Sequence, residues 1–179
     1  MFVAYFVRQM TQADWPAVSS IYQQGMDTLG ATFQALCPPW EEWDASHLQA
    51  CRLVIEDANE VVGFAALTAV SSRCVYAGVA EVSIYVAETQ RGRGAGKHLL
   101  AELIRCSEQY GMWMLQSNIL QENTASIRLH ESCGFRMVGY REKLGRDRYG
   151  VWRNTVLMEK RSARDDLDCE CSCSGDRVS

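Results

Sequence analysis

The feature that most constrains this chain is the segment of residues 81–96, in which a short apolar run leads directly into a basic, glycine-rich loop. The apolar run predicts a buried strand, and the leucine spacing after Lys97 predicts a helix. Glycine lets a backbone approach an anion closely, and a helix N-terminus adds unpaired N–H groups and a positive dipole end. The segment therefore predicts a pyrophosphate site, formed by Arg91, Gly92, Arg93, Gly94, Ala95, Gly96 and Lys97.

The spacing of these glycines argues against a dinucleotide site. A Rossmann loop requires Gly-x-Gly-x-x-Gly and, about 20 residues later, an acidic residue for the ribose. Neither is found here. Coenzyme A also carries a pyrophosphate, and it is the cofactor that this loop favours.

The loop from Gln90 to Gly96 also matches the Gln/Arg-x-x-Gly-x-Gly/Ala signature of the GNAT acyltransferase superfamily, and much of the chain resembles its phosphinothricin N-acetyltransferase branch. The resemblance spans roughly residues 5–161 and is carried by residues 31–33, 38–43, 72–86 and 123–135. It implies a GNAT fold, acetyl-CoA as co-substrate and a homodimer. For the branch it implies a role in detoxification, such as herbicide resistance.

Length and composition agree with one compact enzyme domain, residues 1–161, because 179 residues with 47% hydrophobic content can bury a sizeable core. The net charge of −4 leaves no basic face for nucleic acid. Apolar runs fall short of the roughly 20 residues that a membrane span requires, and no signal segment begins the chain. We therefore expect a cytoplasmic protein without a membrane partner.

The remaining residues, 162–179, are acidic and aperiodic and predict a flexible tail. Cys169, Cys171 and Cys173 could share a soft ion such as Zn²⁺ or As(III). The spacing differs from that of structural zinc sites and a fourth ligand is missing, so we favour a tail without metal and a protein that requires none. The other five of the eight cysteines are scattered singly, and we expect them to be reduced.

Periodicity and turn residues predict the element order β-α-α-β-β-β-α-β-α-β-β. The second helix is expected over residues 40–50 and the last hairpin over 135–144 and 151–160. This is the order of the GNAT fold, a mixed α/β class in which helices flank a twisted mixed central sheet.

Acetyl transfer needs a neutral amine, so a carboxylate must accept the ammonium proton directly or through water. Glu81 is the candidate, because it begins the apolar strand that leads to the loop, and the resemblance places the general base there too. A solvated edge carboxylate is the alternative. Backbone N–H groups of Ile84, Tyr85 and Val86 are the expected oxyanion donors, in a sheet splayed by a bulge.

His130 is the second catalytic candidate, since it lies two helical turns after Asn123 and faces the same side. In many members of the superfamily a tyrosine here protonates the leaving thiolate. His130 is either the general acid, or a residue that orients the substrate or Glu81, or a structural histidine. His47 and His98 are interpreted as surface residues.

Asn123 and Ser126 are expected to contact the cofactor arm, with Asn123 as helix N-cap. For the acceptor, the branch implies cations and aromatic rings around a small amino acid with a glutamate-like or phosphinate side chain. We expect this contact from Phe33, Arg73, Tyr76 and Tyr149. The chain departs from the branch at Ser71, where a second arginine is frequent, and at Asn154, where aspartate is common.

Three functions compete. The favoured one is acetyl-CoA-dependent N-acetylation of a small amino acid such as phosphinothricin, methionine sulfoximine or arsinothricin. The second is acetylation of an unrelated amine, such as a polyamine or a protein N-terminus. The third, an inactive acyl-CoA-binding module, would be indicated by loss of Glu81 or of the loop glycines, and neither is lost.

Overall fold

The computed structural model describes residues 5–28 and 30–164. One seven-stranded sheet, in the order β1-β2-β3-β4-β5-β7-β6, runs through them. Only the pairing of β4 with β5 is parallel. The element order and the mixed sheet confirm the predicted fold class. The elements are β1 (Phe6–Gln9), α1 (Trp15–Asp27), α2 (Trp40–Ser46), β2 (Leu53–Asp57), β3 (Glu60–Ala69), β4 (Val79–Val86), α3 (Ala95–Gln109), β5 (Met114–Leu120), α4 (Thr124–Ser132), β6 (Arg136–Arg146) and β7 (Trp152–Arg161).

The central strands bury both faces, which explains their continuous apolar sequences. Successive side chains of a strand point to opposite faces. On β2, Leu53 and Ile55 join the core that packs against α3, whereas Val54 joins the aromatic core beneath α1 and α2. The predicted leucine stripe of α3, including Leu103, is fully buried in the first of these cores. The sheet is therefore a middle layer between two helical layers.

Helix α2 is shorter than predicted, because it ends at Ser46 rather than near residue 50. The buried guanidinium of Arg52 is responsible. It donates hydrogen bonds to the backbone carbonyls of Asp44, His47 and Leu48 and pairs with the Asp44 carboxylate. These bonds satisfy carbonyl groups that a longer helix would have used, so the chain turns toward β2 instead.

The pairing of β4 with β5 is the irregularity that forms the site. It covers three residue pairs and stops at Glu81 and Gln116, although β4 continues to Val86 and β5 to Leu120. The expected bulge is not the cause. The pairings of β4 are regular on both sides, and the register shifts lie between β2 and β3 and between β6 and β7. The two strands simply diverge, and a wedge opens between them.

The five singly scattered cysteines were predicted to be reduced, and this is wrong for Cys74, which is disulfide-bonded. The other four, Cys37, Cys51, Cys106 and Cys133, are free. Cys74 lies on an exposed turn. The three tail cysteines and most of the predicted tail lie outside the described residues.

In the part of the chain that the structure describes, no helix is long and apolar enough to cross a membrane.

Gly63 tests the packing of the central strands. A Cβ atom at this position would lie 2.9 Å from Ile55 Cγ2 and 2.9 Å from the carbonyl oxygen of Tyr85. Gly63→Ala should therefore lower the free energy of unfolding by about 1–3 kcal/mol in urea denaturation. Gly139→Ala is the control, because a Cβ atom at that position would meet nothing within 4 Å. Equal stability of the two variants would contradict this packing.

Candidate active site

Two cavities open at the wedge between β4 and β5. One, of about 600 Å³, lies along the glycine-rich loop, and the other, of about 370 Å³, contains Glu81. We call them the loop cavity and the glutamate cavity. They share one wall, formed by Ala31, Ile84, Tyr85, Asn123 and Ser126. Two molecules bound in the two cavities would therefore meet beside the free edge of β4.

The loop cavity has the features expected of a pyrophosphate site. Gly92 and Gly94 have φ angles of 74° and 92°, and a Cβ at either would meet nothing within 4 Å. Gly94 is the N-cap of α3, a helix of 15 residues, so its first N–H groups and its dipole face the loop. Lys97 and Arg128 add positive charge to the lining.

Most of the residues predicted to bind the cofactor line the loop cavity. They are Ile84, Tyr85, Val86, Arg91, Gly92, Gly94, Gly96, Lys97, Asn123 and Ser126. Arg93 and Ala95 do not line it. Ala95 is fully buried in the core beneath α3, and Arg93 is exposed. Asn123 also caps α4, since its Oδ1 accepts a hydrogen bond of 3.1 Å from the backbone N–H of Ser126.

Glu81 lies at the point where the β4–β5 ladder ends. Two amides of β5 hold one of its oxygens. Gln116 Nε2 donates to Oε2 over 2.9 Å, and Asn118 Nδ2 donates to the same atom over 3.0 Å. Oε1 accepts no hydrogen bond from the residues between 5 and 164 in this arrangement. The carboxylate is thus fixed through one oxygen and free to accept a proton through the other.

The backbone of β4 beyond Glu81 supplies the second part of the chemistry. On the β3 side, residues up to Val86 are paired. On the β5 side, the ladder between the described strands ends at Glu81, so the N–H groups of β4 that point there have no ladder acceptor among these strands. Ile84 and Tyr85 form the wall shared by the two cavities. Backbone donors placed in this way can stabilise an oxyanion.

His130 is 1% exposed and lines the glutamate cavity. Its Nδ1 lies 2.8 Å from the backbone oxygen of Ser126, and its ring packs edge-on against Phe135. Because a carbonyl can only accept, Nδ1 carries a proton and Nε2 carries the lone pair. Nε2 is buried and has no partner among the described residues. Burial lowers the pKa of His130, against the opposing effect of the Ser126 carbonyl.

The interpretation of His47 as a surface residue is wrong. It is mostly buried against Trp43, with ring centroids 4.2 Å apart, and it lines the glutamate cavity. Its Nδ1 lies 2.8 Å from the backbone oxygen of Trp43. Burial lowers its pKa as well. The early end of α2, set by Arg52, brings this histidine to the site, and helical periodicity could not indicate it.

The predicted acceptor residues are divided by the structure. Phe33 lines the glutamate cavity. Arg73 and Tyr76 do not. They lie on the exposed turn before β4 and stack on each other, with the guanidinium carbon 5.6 Å from the ring centroid. Tyr149 is 70% exposed on the last hairpin and also lies away from the lining. The expected cations around the acceptor are therefore missing from the cavity walls over the described ranges.

Among the residues that the structure describes, no group of three or more His, Cys, Asp or Glu side chains could hold a metal ion. The predicted soft-ion alternative concerned Cys169, Cys171 and Cys173, which lie outside the described residues.

Comparison with known proteins places the chain. The acetyltransferase (GNAT) family model matches residues 7–135. The phosphinothricin N-acetyltransferase of Alcaligenes faecalis is 34% identical over 86% of this chain and 81% of its own. The L-methionine sulfoximine/L-methionine sulfone acetyltransferase of Pseudomonas aeruginosa is 28% identical over 86% and 92%. The chain belongs to the GNAT family and is an N-acetyltransferase.

A solved structure supports the same assignment of the fold. The GNAT superfamily phosphinothricin acetyltransferase of Sinorhizobium meliloti, solved in complex with acetyl-CoA, superimposes with a TM-score of 0.77. It is 26% identical, and the alignment covers 88% of each chain.

The lowered pKa of His130 predicts that acid destabilises the fold. In an unfolded chain a histidine gains its proton near pH 6.5, whereas the folded state binds that proton only at lower pH. The free energy of unfolding should therefore fall as the pH drops from about 6.5 toward 5. We expect His130→Gln to reduce this slope in urea titrations at several pH values. His98→Gln, on the exposed face of α3, should keep the wild-type slope, and an unchanged slope in His130→Gln would contradict the assignment.

Proposed function

We propose that this protein transfers the acetyl group of acetyl-CoA to the primary amine of a small amino-acid-like substrate. The observation that carries the proposal is the meeting of the two cavities beside Glu81 and the free edge of β4. The loop cavity fits the pyrophosphate and pantetheine arm of coenzyme A, because Gly92 and Gly94 leave space for phosphate against backbone N–H groups. The names of the relatives support the acceptor class.

Glu81 would act as the general base. An amine in the glutamate cavity is mostly protonated at pH 7, and Oε1 accepts its proton directly or through a water molecule. The freed lone pair then forms the N–C bond to the thioester carbonyl. The C–S bond breaks, the nitrogen releases its remaining excess proton to solvent to give the neutral amide, and the thiolate takes up a proton from solvent. The backbone N–H groups of Ile84 and Val86, which alternation along β4 directs away from β3 and toward the opening, stabilise the carbonyl oxygen as it gains charge.

His130 is better suited to orienting the acceptor than to donating a proton to the thiolate. A general acid needs the imidazolium form, which burial disfavours here. The Nδ1 proton is already donated to Ser126, so Nε2 remains as a hydrogen-bond acceptor within the glutamate cavity wall. Of the alternatives open at the sequence level, we therefore favour the orienting role, which His130 would exert from within the wall of the glutamate cavity.

Glu81→Gln tests the function most directly. The substitution keeps the side-chain size but removes the base, so kcat should fall by about 10²–10⁴ at neutral pH, and part of the loss should be recovered at high pH, where the amine is free. Release of the coenzyme A thiol with phosphinothricin or L-methionine sulfone as acceptor measures both effects. Glu60→Gln, at the exposed start of β3, is the control. A loss without recovery at high pH would indicate a structural role for Glu81.

We further propose that the protein is a homodimer that associates through the β6–β7 hairpin. β6 is an edge strand and 11 residues long. Several large apolar side chains of the hairpin are between 43% and 53% exposed, namely Met137, Val138, Tyr140, Leu144, Val151 and Trp152. Exposed apolar surface of this kind is typical of a protein interface. The family resemblance supports a dimer independently.

Light scattering tests the dimer. We expect twice the chain mass of 20.2 kDa for the wild type and a shift toward the monomer for Val138→Arg. The physical reason is the cost of burying an unpaired charge at an apolar interface. Tyr110→Arg is the matched control, because Tyr110 is 59% exposed but lies at the end of α3. A monomeric wild type, or equal dissociation in both variants, would refute the proposed interface.

A further inference from the structure

The glutamate cavity lacks a cation of its own. Its only charged lining residue within the described ranges is Glu81. An amino-acid acceptor brings a carboxylate next to its amine, and a buried or half-buried carboxylate needs a positively charged or N–H donor nearby. The predicted partner, Arg73, is exposed on a turn away from the lining. Another residue must therefore receive this group.

Two arginines bond to residues that line the glutamate cavity. Arg52 donates to the backbone oxygen of His47, but its guanidinium is buried and already neutralised by Asp44. Arg141 of β6 donates from Nη1 to Asn118 Oδ1 over 3.2 Å. It is exposed and forms no ion pair with any residue between 5 and 164. A guanidinium has five N–H donors, so Arg141 retains several for a ligand.

Asn118 links Arg141 to the general base. Its Oδ1 accepts from Arg141, and its Nδ2 donates to Glu81 Oε2 over 3.0 Å. The cation and the carboxylate are therefore separated by one amide group. In an α-amino acid the amine and the carboxylate are separated by one carbon atom. The negative Glu81 would thus face the ammonium group of such a ligand, and the positive Arg141 would face its carboxylate.

A bulge in β6 fixes the position of Arg141. Arg141 pairs with Thr155 and Gly145 pairs with Arg153, so three residues of β6 lie opposite the single residue Asn154. The Asn154 side chain stabilises the bulge, since its Oδ1 accepts a 2.8 Å hydrogen bond from the backbone N–H of Lys143. Bulges beside active sites commonly redirect a side chain. Here the bulge begins immediately after the arginine that contacts the cavity wall.

We propose that Arg141 binds the α-carboxylate of the acceptor while Glu81 accepts a proton from its amine. This inference rests on the proposed function and adds to it a specificity-determining residue. It limits the preferred acceptors to free amino acids, because an amine without an adjacent carboxylate leaves Arg141 without a partner.

The test compares two acceptors that differ by the carboxylate alone. L-methionine sulfone has an amine, an α-carboxylate and a neutral side chain, and 3-(methylsulfonyl)propylamine is the same molecule without the carboxylate. We would measure kcat/KM for both, and for phosphinothricin as a third acceptor, in the wild type, Arg141→Gln, Arg141→Lys, Arg73→Gln and, as a control on the same strand, Arg136→Gln. Calorimetry with acetyl-CoA follows the other substrate.

We expect Arg141→Gln to lower kcat/KM for L-methionine sulfone about 10- to 100-fold, mainly through KM, since a charge-assisted hydrogen bond is lost. Activity with the propylamine and the Kd of acetyl-CoA should stay constant. Arg141→Lys should recover part of the loss, because lysine keeps the charge but not the planar donor geometry. Arg73→Gln and Arg136→Gln should behave as the wild type.

Three outcomes would overturn the proposal. Equal losses for both acceptors, with an altered pH profile, would mean that Arg141 acts on Glu81 through Asn118. A selective loss in Arg73→Gln instead would restore the prediction made from the sequence. A loss confined to phosphinothricin would assign Arg141 to the acidic side chain of the acceptor. If the wild type released no thiol with any of these amines, the proposed function itself would fail.

Discussion

The site depends on where the hydrogen-bonded pairing of β4 with β5 ends, which is at Glu81 and Gln116. A sheet that continued to pair would bury the backbone N–H groups of residues 82, 84 and 86 in hydrogen bonds and would leave no space between the strands. Because pairing stops, the same few residues form a free strand edge, a wall of two cavities and the support of a carboxylate. The helices α3 and α4 then need only place their N-terminal ends beside the opening.

Gln116 and Asn118 hold the Glu81 carboxylate in place and leave its second oxygen free. They lie two residues apart on β5, so both side chains point to the same face. Both donate to the same oxygen of Glu81. A general base needs a fixed position and a free lone pair at once, and holding only Oε2 provides both. Similarly, the carbonyl of Ser126 determines which nitrogen of His130 is protonated, and thus what that residue can do.

The features that could be predicted from the sequence are those that depend on neighbouring residues in the chain. The glycines at positions 92 and 94, the N-cap Asn123 and the apolar run of β4 each follow from the conformation or burial of a few neighbouring residues. His47 and Arg141 could not be predicted in this way. His47 lies at the cavity because side-chain bonds from Arg52, five residues further along the chain, hold the backbone where α2 ends, and Arg141 contacts the lining residue Asn118 from beside a bulge opposite Asn154. Arg73 is the opposite case, because it is near Glu81 in sequence but lies on an exposed turn outside the lining of the glutamate cavity.

The wall shared by the two cavities also bears on the order of events during turnover. Ile84, Tyr85, Asn123 and Ser126 face both cavities, while the outer walls of the cavities differ. Donor and acceptor can therefore be present together, and the acetyl group needs no intermediate resting place on a side chain. In kinetic terms this architecture favours a sequential, ternary-complex mechanism over a ping-pong one.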